Sequence, residues 1–452
     1  MRRIQIIVGI SLVCLFFGLP ALAQTTTSTI EGTVKDPQGA VVAGATVKAT
    51  SPSLATERST TSDENGFYRI TALPAGTYTV SISQSGFANR NLDNLELTLN
   101  RNLILDVDLE VGAVQGDVRV NAAVQLIDPT ASSTGTTVTP QQIQDLPVNG
   151  RNYLDLLQLV PGVAINRQAN PDSDNATPVL GERSGNNNFL IDGHPNKDTV
   201  EGGPAAQFNQ ETIAEFQVLT TGFKAEFGQA SGAIVNVITK SGGNSFHGVG
   251  SFFHRNDAFD SSNSLDPAHS EAPALRRYDY SLAGGGPVIK DKVFFFGSSE
   301  RITENRVIDF KFPDTGTTPG GVLVGQLLRD QENPFDTPSQ YFETRNFLKF
   351  NEQLGRHQLT QEVNYTNRVI RNFLPLSLSQ SLPSARNESG ARNLLLAAGD
   401  TILVGEQANP WIVTLRGAYR GEPSDIRPAH PEAGGGTLFV PFTSNTCCLL
   451  AF

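Results

Sequence analysis

EFQVLTTGFKAEFGQASGAIVNVITKSGGNSFHG, residues 215–248, decides how this chain folds. Within it, Ala233 to Thr239 (AIVNVIT) is rich in β-branched residues and closes on Ser241-Gly242-Gly243. Just upstream, GERSGNNNFLIDGHPN holds a second apolar run, Phe189 to Ile191, closed by Asp192-Gly193. Short apolar runs bounded by turn residues read as buried strands. After Ser241 the pattern alternates: Leu359, Gln361, Val363 and Tyr365 oppose Thr360, Glu362, Asn364 and Thr366, and Trp411, Val413, Leu415 and Tyr419 share a face with aromatics at both ends. Such period-2 segments suit a membrane barrel wall, although the strands of a soluble sandwich alternate equally well. Turns are expected from Gly286-Pro287 through Lys292 and at Leu354-Gly355-Arg356, with longer connections at Ser261 to Pro273, Pro313 to Gly321 and Asn333 to Ser339. The picture is a compact plug leading into a long antiparallel sheet.

Working outward, Thr26 to Val111 reads as about seven short strands broken at Asp36-Pro37-Gln38-Gly39, Asn65-Gly66 and Pro74-Ala75-Gly76. Tyr78, Val80 and Ile82 alternate with Thr77, Thr79 and Ser81, so one face meets a core and the other water. This is a small β-sandwich. Asp63 and Glu64 precede the Asn65-Gly66 turn and read as turn chemistry, not a metal site. Between sandwich and plug, Asp117-Val118-Arg119-Val120-Asn121-Ala122 is extended in character: a strand for addition to another sheet edge, the last strand of the sandwich, or a plain linker. Short amphipathic helices are expected at Pro140 to Leu146, Arg151 to Val160 and Glu211 to Phe216.

Chemistry is sparse. The six histidines form no His-x-x-Glu or HExxH, no ordered catalytic set stands out, and no cofactor is implied. Asn170 to Asn175 has calcium-loop composition but lacks its glycine and bidentate glutamate, Arg183 standing twelfth from Asp172. Of three cysteines, Cys447 and Cys448 are adjacent and Cys14 lies in the leader. Asn187, Asn188, Asp192, His194 and Asn196 form a polar cluster that serves either strand connections or a ligand surface. A net charge of -11 without a basic cluster beyond the N-terminus speaks against nucleic acid as a partner. Arg2 and Arg3, an apolar run from Ile4 to Leu19 and Ala21-Leu22-Ala23 form a secretory signal peptide, residues 1–23, with cleavage expected between Ala23 and Gln24.

Four segments, LPVNGRNYLDLLQLVPGV (146–163), NNFLIDG (187–193), the opening stretch, and GGGPVIKDKVFFFGSSE (284–300), resemble in sequence and order the TonB-dependent outer-membrane receptors of the Oar-like type. GTVKDPQGAVVAGATVKAT and DENGFYRITALPAGTYTVSISQSGF are similar to the carboxypeptidase-regulatory-like family, which implies no peptidase activity. One departure is Ala233, where the resemblance leads one to expect a second glycine after Gly232.

The resemblance implies a mainly β chain: signal peptide 1–23, β-sandwich 24–113, linker 114–139, α+β plug 140–240 and partial antiparallel transmembrane β-barrel 241–452. It implies uptake of an unidentified substrate without covalent chemistry, from a barrel in outer-membrane lipid with the N-terminal domain in the periplasm. It further implies that a TonB-type energy-coupling protein engages Asp117 to Ala122 as a TonB box, and that Asn187, Asn188, Asp192, His194 and Asn196 meet substrate. A secreted adhesive β-sandwich protein is the alternative. A plugged barrel of about 22 strands takes roughly 200 to 240 residues for its wall alone. The 212 residues after Lys240 include long connections, so a truncated chain is expected.

Overall fold

In the computed structural model of the chain, the described residues are 27–428 apart from 53, 55–56, 100, 113–117, 122–132, 147, 149–150, 165–177, 199–201, 224–226, 229, 261–273, 308–337, 374–386, 406–410 and 422. The expected signal peptide, residues 170–175, Asp117, Ala122 and the adjacent cysteines lie outside them.

The N-terminal sandwich sets β1 (Ser28–Lys35), β4 (Phe67–Leu73), β7 (Asn102–Ile104) and β8 (Val107–Asp108) in one sheet. The other contains β2 (Thr46–Thr50), β3 (Arg58–Thr61), β5 (Gly76–Ser83), β6 (Arg90–Leu97) and β9 (Val118–Asn121), in the order β3-β2-β5-β6-β9. Alternation puts Val47, Val80 and Ile82 of one sheet against Ile30 and Val34 of the other in a single core. The buried Tyr68 and Tyr78 hydroxyls donate to the carbonyls of Leu105 and Pro74 at 2.7 and 2.6 Å, so neither phenol is buried unsatisfied. Asp63 Oδ1 accepts from the backbone N–H groups of Asn65 and Phe67, the turn expected from the sequence.

The plug is a five-stranded sheet in the order β10-β13-β14-β11-β12, from β10 (Thr134–Val138), β11 (Asn188–Ile191), β12 (His194–Pro195), β13 (Ile213–Thr221) and β14 (Ile234–Thr239). The two expected strands are β11 and β14, which pair in parallel at its centre. The sheet opens at Thr134, inside the stretch read as linker, because β10 pairs along β13 from Thr134 to Val138. Helix α1 (Pro140–Asp145) starts on a reciprocal Thr139/Gln142 cap. The helix expected over Arg151 to Val160 is a 3₁₀ turn, Tyr153–Leu159, whose i, i+3 spacing stacks Tyr153 and Leu156 on the buried side. The helix expected over Glu211 to Phe216 is corrected to one 3₁₀ turn, Gln210–Thr212, followed by β13. Pairing on both edges, with β10 and with β14, outweighs the weak helical tendency of so short a run.

The third sheet joins, in chain order, β15 (His247–Asn256), β16 (Leu275–Ile289), β17 (Val293–Arg306), β18 (Ser339–Leu354), β19 (His357–Phe373), β20 (Asn387–Val404) and β21 (Trp411–Gly421), with β22 (Ser424–Pro428) also on β20. It is a meander of long antiparallel strands with tight turns at one end: at Gly355-Arg356, as expected, and between Ile289 and Val293, a shorter turn than expected because Gly286 to Ile289 continue the pairing of β16 with β17. Val363, Leu415 and Tyr419 face outward and exposed, as their alternation requires. Phe294, Phe296, Phe347, Leu395 and Ala397 face inward and buried. The plug core runs straight into this inner face, joining Phe189, Phe208, Phe216 and Val235 to Phe296, Phe347 and Leu395. Among the described residues no helix is long and apolar enough to cross a membrane, which says nothing about crossing by strands.

Candidate functional site

The contact between plug and wall is where the polar chemistry gathers. Residues 202–210, GGPAAQFNQ, carry no regular structure up to the 3₁₀ turn, yet every one is buried. Irregular backbone in a buried place leaves carbonyls without partners, each costing roughly 1 to 3 kcal/mol. The wall supplies the donors. Asn364 Nδ2 and Thr366 Oγ1 of β19 donate to the Gln207 carbonyl at 3.3 and 3.4 Å. Arg345 Nη1 of β18 reaches that of Phe208 at 3.3 Å. Asn393 of β20 takes Ala205, and Arg420 of β21 takes Lys197, each at 2.6 Å. Each side chain sits on the inward parity of its strand, so strand alternation alone aims them at the plug.

Two charge clusters flank this segment. Lys349 Nζ of β18 lies 2.9 Å from both Asp192 Oδ2 and Thr239 Oγ1, with both charged side chains about nine-tenths buried. Asp192 (φ +46°) and Gly193 (φ +78°) form the two-residue turn between β11 and β12, a geometry of the type I′ class. Burial raises the Asp192 carboxyl, but the Lys349 ammonium, with the hydrogen bonds from Thr239, brings it below the usual carboxylate range. His194 is lowered to about 4 by burial first and the Arg416 guanidinium second, so it is neutral near pH 7. In the second cluster Arg345 spans Glu300 and Glu343 at 3.0 and 2.6 Å. Next to it Arg151 pairs with Glu211 at 2.7 Å and stacks on the Phe253 ring of β15 at 4.2 Å.

Four of the five residues singled out as substrate contacts, Asn187, Asn188, His194 and Asn196, are buried, and the fifth, Asp192, sits at the contact with the wall, paired with Lys349. Asn187 Oδ1 accepts from the Ala233 N–H, and a β-carbon on Gly232 would stand 2.5 Å from that same oxygen. The glycine is therefore required at 232, whereas the methyl of Ala233 is fully buried in the core. Asn188 Nδ2 donates to the Gly228 carbonyl, and Asn196 brackets Ala206, accepting from its N–H and donating to its carbonyl. Asn187, Asn188, His194 and Asn196 are at most 4% exposed. Sequence reasoning missed the wall partners Arg345, Lys349, Asn364, Thr366, Asn393 and Arg420. Their signal is a polar or charged residue on the inner parity, which says that something polar faces it but not what.

Of the other motif, Val118–Asn121 forms β9, pairing in parallel with Arg90 to Asp93 of β6 at the edge of the sandwich. A buried plug carboxylate also meets the sandwich: Glu215 Oε1 accepts from the Leu99 N–H at 2.7 Å. Burial raises Glu215 to about 7, against the pull of that hydrogen bond. On the rim of the wall, Arg58 donates to Gln353 Oε1 at 3.1 Å. Among the described residues no group of three or more His, Cys, Asp or Glu is placed to hold a metal.

The fold is thus a small mixed sheet buried against the inner face of a long antiparallel wall. Residues 29–110 match the carboxypeptidase regulatory-like domain, 128–235 the TonB-dependent receptor plug domain and 238–387 an outer membrane β-barrel domain. In this order the three matches give the chain the domain organisation of a TonB-dependent outer-membrane receptor. It is 29% identical over 326 residues to the TonB-dependent transporter Oar of Myxococcus xanthus, a match covering 67% of this chain and 30% of that protein. Similar solved structures include the outer membrane transporter YddB of Escherichia coli, at 14% identity and TM-score 0.45, over 60% of this chain and 37% of that one. Another is P. aeruginosa FpvA, solved bound to pyoverdines, at 13% identity and TM-score 0.42, over 67% and 44% of the two chains.

Proposed function

We propose that this chain carries the gating part of a receptor for energised uptake of an unidentified substrate. The observation that carries this reading is the way the plug is held. Among the described residues its sheet and the wall sheet share no strand pairing. Side-chain donors on the carbonyls of residues 197–208, the Lys349–Asp192 pair and an apolar face make the contact. A plug so held can move without breaking either backbone ladder, and moving it exposes buried apolar surface and unpaired polar groups, so it stays closed until work is done on it.

That work comes from a TonB-type coupling protein in the periplasm, on which side the sandwich also lies. The segment from Asp117 to Ala122 is the handle, and Val118–Asn121 must leave β6 before a partner can add to it as a strand. Asn187, Asn188, Asp192, His194 and Asn196 shape the plug interior and meet substrate only once the plug has moved. The test places a cysteine at the buried Ala206 and measures maleimide labelling from outside the cell, with the coupling protein intact or deleted. Labelling that rises only with the intact partner is expected; equal labelling in both strains would count against energised gating.

A further inference from the structure

Away from the plug, the sandwich and the tight-turn end of the wall enclose a cavity of about 310 Å³. Arg58 of β3 and Arg69 of β4 line it from the sandwich, and Arg356, in the turn between β18 and β19, lines it from the wall. β3 and β4 are edge strands of their two sheets, so their outward backbone N–H groups add donors beside the arginines. Gln353 fixes the joint. Its Nε2 donates to the carbonyls of Gly355 and His357 at 3.1 and 3.5 Å, which leaves Oε1 to accept from Arg58 Nη2 at 3.1 Å. The Leu403 N–H holds the same turn through the Arg356 carbonyl, also at 3.1 Å.

The charges in this cavity do not balance. Arg69 reaches Glu31 through Nε at 2.7 Å, and Glu57, the carboxylate in the lining, pairs with Lys48 at 3.0 Å. Among the described residues Arg58 and Arg356 have no ion pair. Arg58 Nε is buried without a hydrogen-bond partner. Burial lowers the pKa of that guanidinium, and the opposing contribution comes from the Tyr78 phenol, not from a carboxylate. A cation drawn partly out of water without a counter-charge carries a cost that a bound anion offsets.

We propose that this cavity binds a small oxyanion with two or more negative charges, a polycarboxylate or a phosphate ester, which bridges the sandwich and the wall. The planar guanidinium fork matches either group. A singly charged ion would answer only one of the two uncompensated arginines. The volume lies at the lower end of the range of small-ligand cavities, ~300 to 1,000 Å³, which form preferentially between domains. Short turns of a membrane barrel face the periplasm, so the ligand comes from that compartment. Only this last step rests on the outer-membrane reading.

The experiment holds the full chain in detergent at fixed ionic strength and about pH 8, where a phosphate monoester carries its second charge. It is titrated calorimetrically with citrate, glucose 6-phosphate and acetate. Saturable binding of citrate or glucose 6-phosphate at one site per chain is expected, at least tenfold tighter than acetate, and the tighter of the two tells carboxylate from phosphate. Arg58→Gln and Arg356→Gln should each weaken it fivefold or more, whereas Arg276→Gln, at the far end of the wall, should leave it unchanged. Because the comparison among anions needs no variant, misfolding of a variant leaves the test intact. No saturable binding, or acetate binding as tightly, would overturn the site. Binding weakened by Arg58→Gln but untouched by a folded Arg356→Gln would overturn the bridge to the wall. Recovery of the chain as a soluble protein without detergent would overturn the outer-membrane reading and leave the site itself standing.

Discussion

Lys349 is the residue on which the plug contact turns most sharply. Removing one partner of a buried pair strands the other charge, at about 3 to 5 kcal/mol, whereas replacing both is far milder. Lys349→Met should therefore loosen the plug strongly, and Lys349→Met with Asp192→Asn should recover most of the loss, read as the urea dependence of maleimide access to a cysteine at Ala206. A double variant as weak as the single one would mean that Asp192 is not the partner that matters. Glu215 makes a prediction of a different kind. Its carboxyl is raised to about 7 from a usual value of 4.5, so the stability it contributes is fully present below about pH 4.5 and is lost as pH rises through about 7. The difference is on the order of 3 kcal/mol once the group is fully ionised. Hydrogen exchange at the Leu99 N–H, corrected for its intrinsic pH dependence, should show less protection above pH 7 than at pH 5. Glu215→Gln should flatten that change; a profile identical in both proteins would show that another group governs the joint.

At the scale of elements, the clearest test concerns β9. Asn91 and Arg119 are parallel neighbours across β6 and β9, so cysteines placed there should cross-link in the resting protein. Adding the coupling protein's periplasmic domain should lower the yield, and Val120→Pro, which removes a backbone donor, should lower it without any partner. A yield indifferent to both would separate this segment from coupling. What the sequence made legible follows from how local each signal is. The wall turns, β11, β14 and the Asp63 turn announce themselves because alternation and turn chemistry are written in adjacent residues. The segment Ile213–Thr221 misleads because helix and strand tendencies are nearly balanced there, and β10 and β14, far away in sequence, decide it. The site was legible as chemistry but not as geometry. Asn187, Asp192 and Asn196 stand out in the sequence as a polar cluster, and in the fold their side chains accept hydrogen bonds from the backbone N–H groups of Ala233, Thr239 and Ala206. Nothing in Lys349 or Arg345 names a partner more than a hundred residues away.

Taken whole, the described residues form three bodies in contact: a sandwich that touches the plug at Glu215 and the tight-turn end of the wall at Gln353, a plug against the inner face, and the wall itself. Only the joints between these bodies can give if the plug is to move, since each body is internally paired by its own sheets. Thr212 and Ser298 mark the joint between plug and wall, their hydroxyl oxygens 2.6 Å apart and buried. Serine and threonine oxygens at that separation put the two β-carbons within reach of a disulfide. Thr212→Cys with Ser298→Cys should therefore lock the plug to β17 under oxidation. With the lock closed, partner-dependent labelling of a cysteine at Ala206 should fall to the level seen without the coupling protein, and a reductant should restore it. Thr212→Ser, which keeps the hydroxyl, controls for loss of packing alone. If the oxidised double variant still exposes Ala206 when the partner is energised, the moving boundary does not run between β17 and the Gln210–Thr212 turn, and the plug must open through a part of itself that leaves this joint intact.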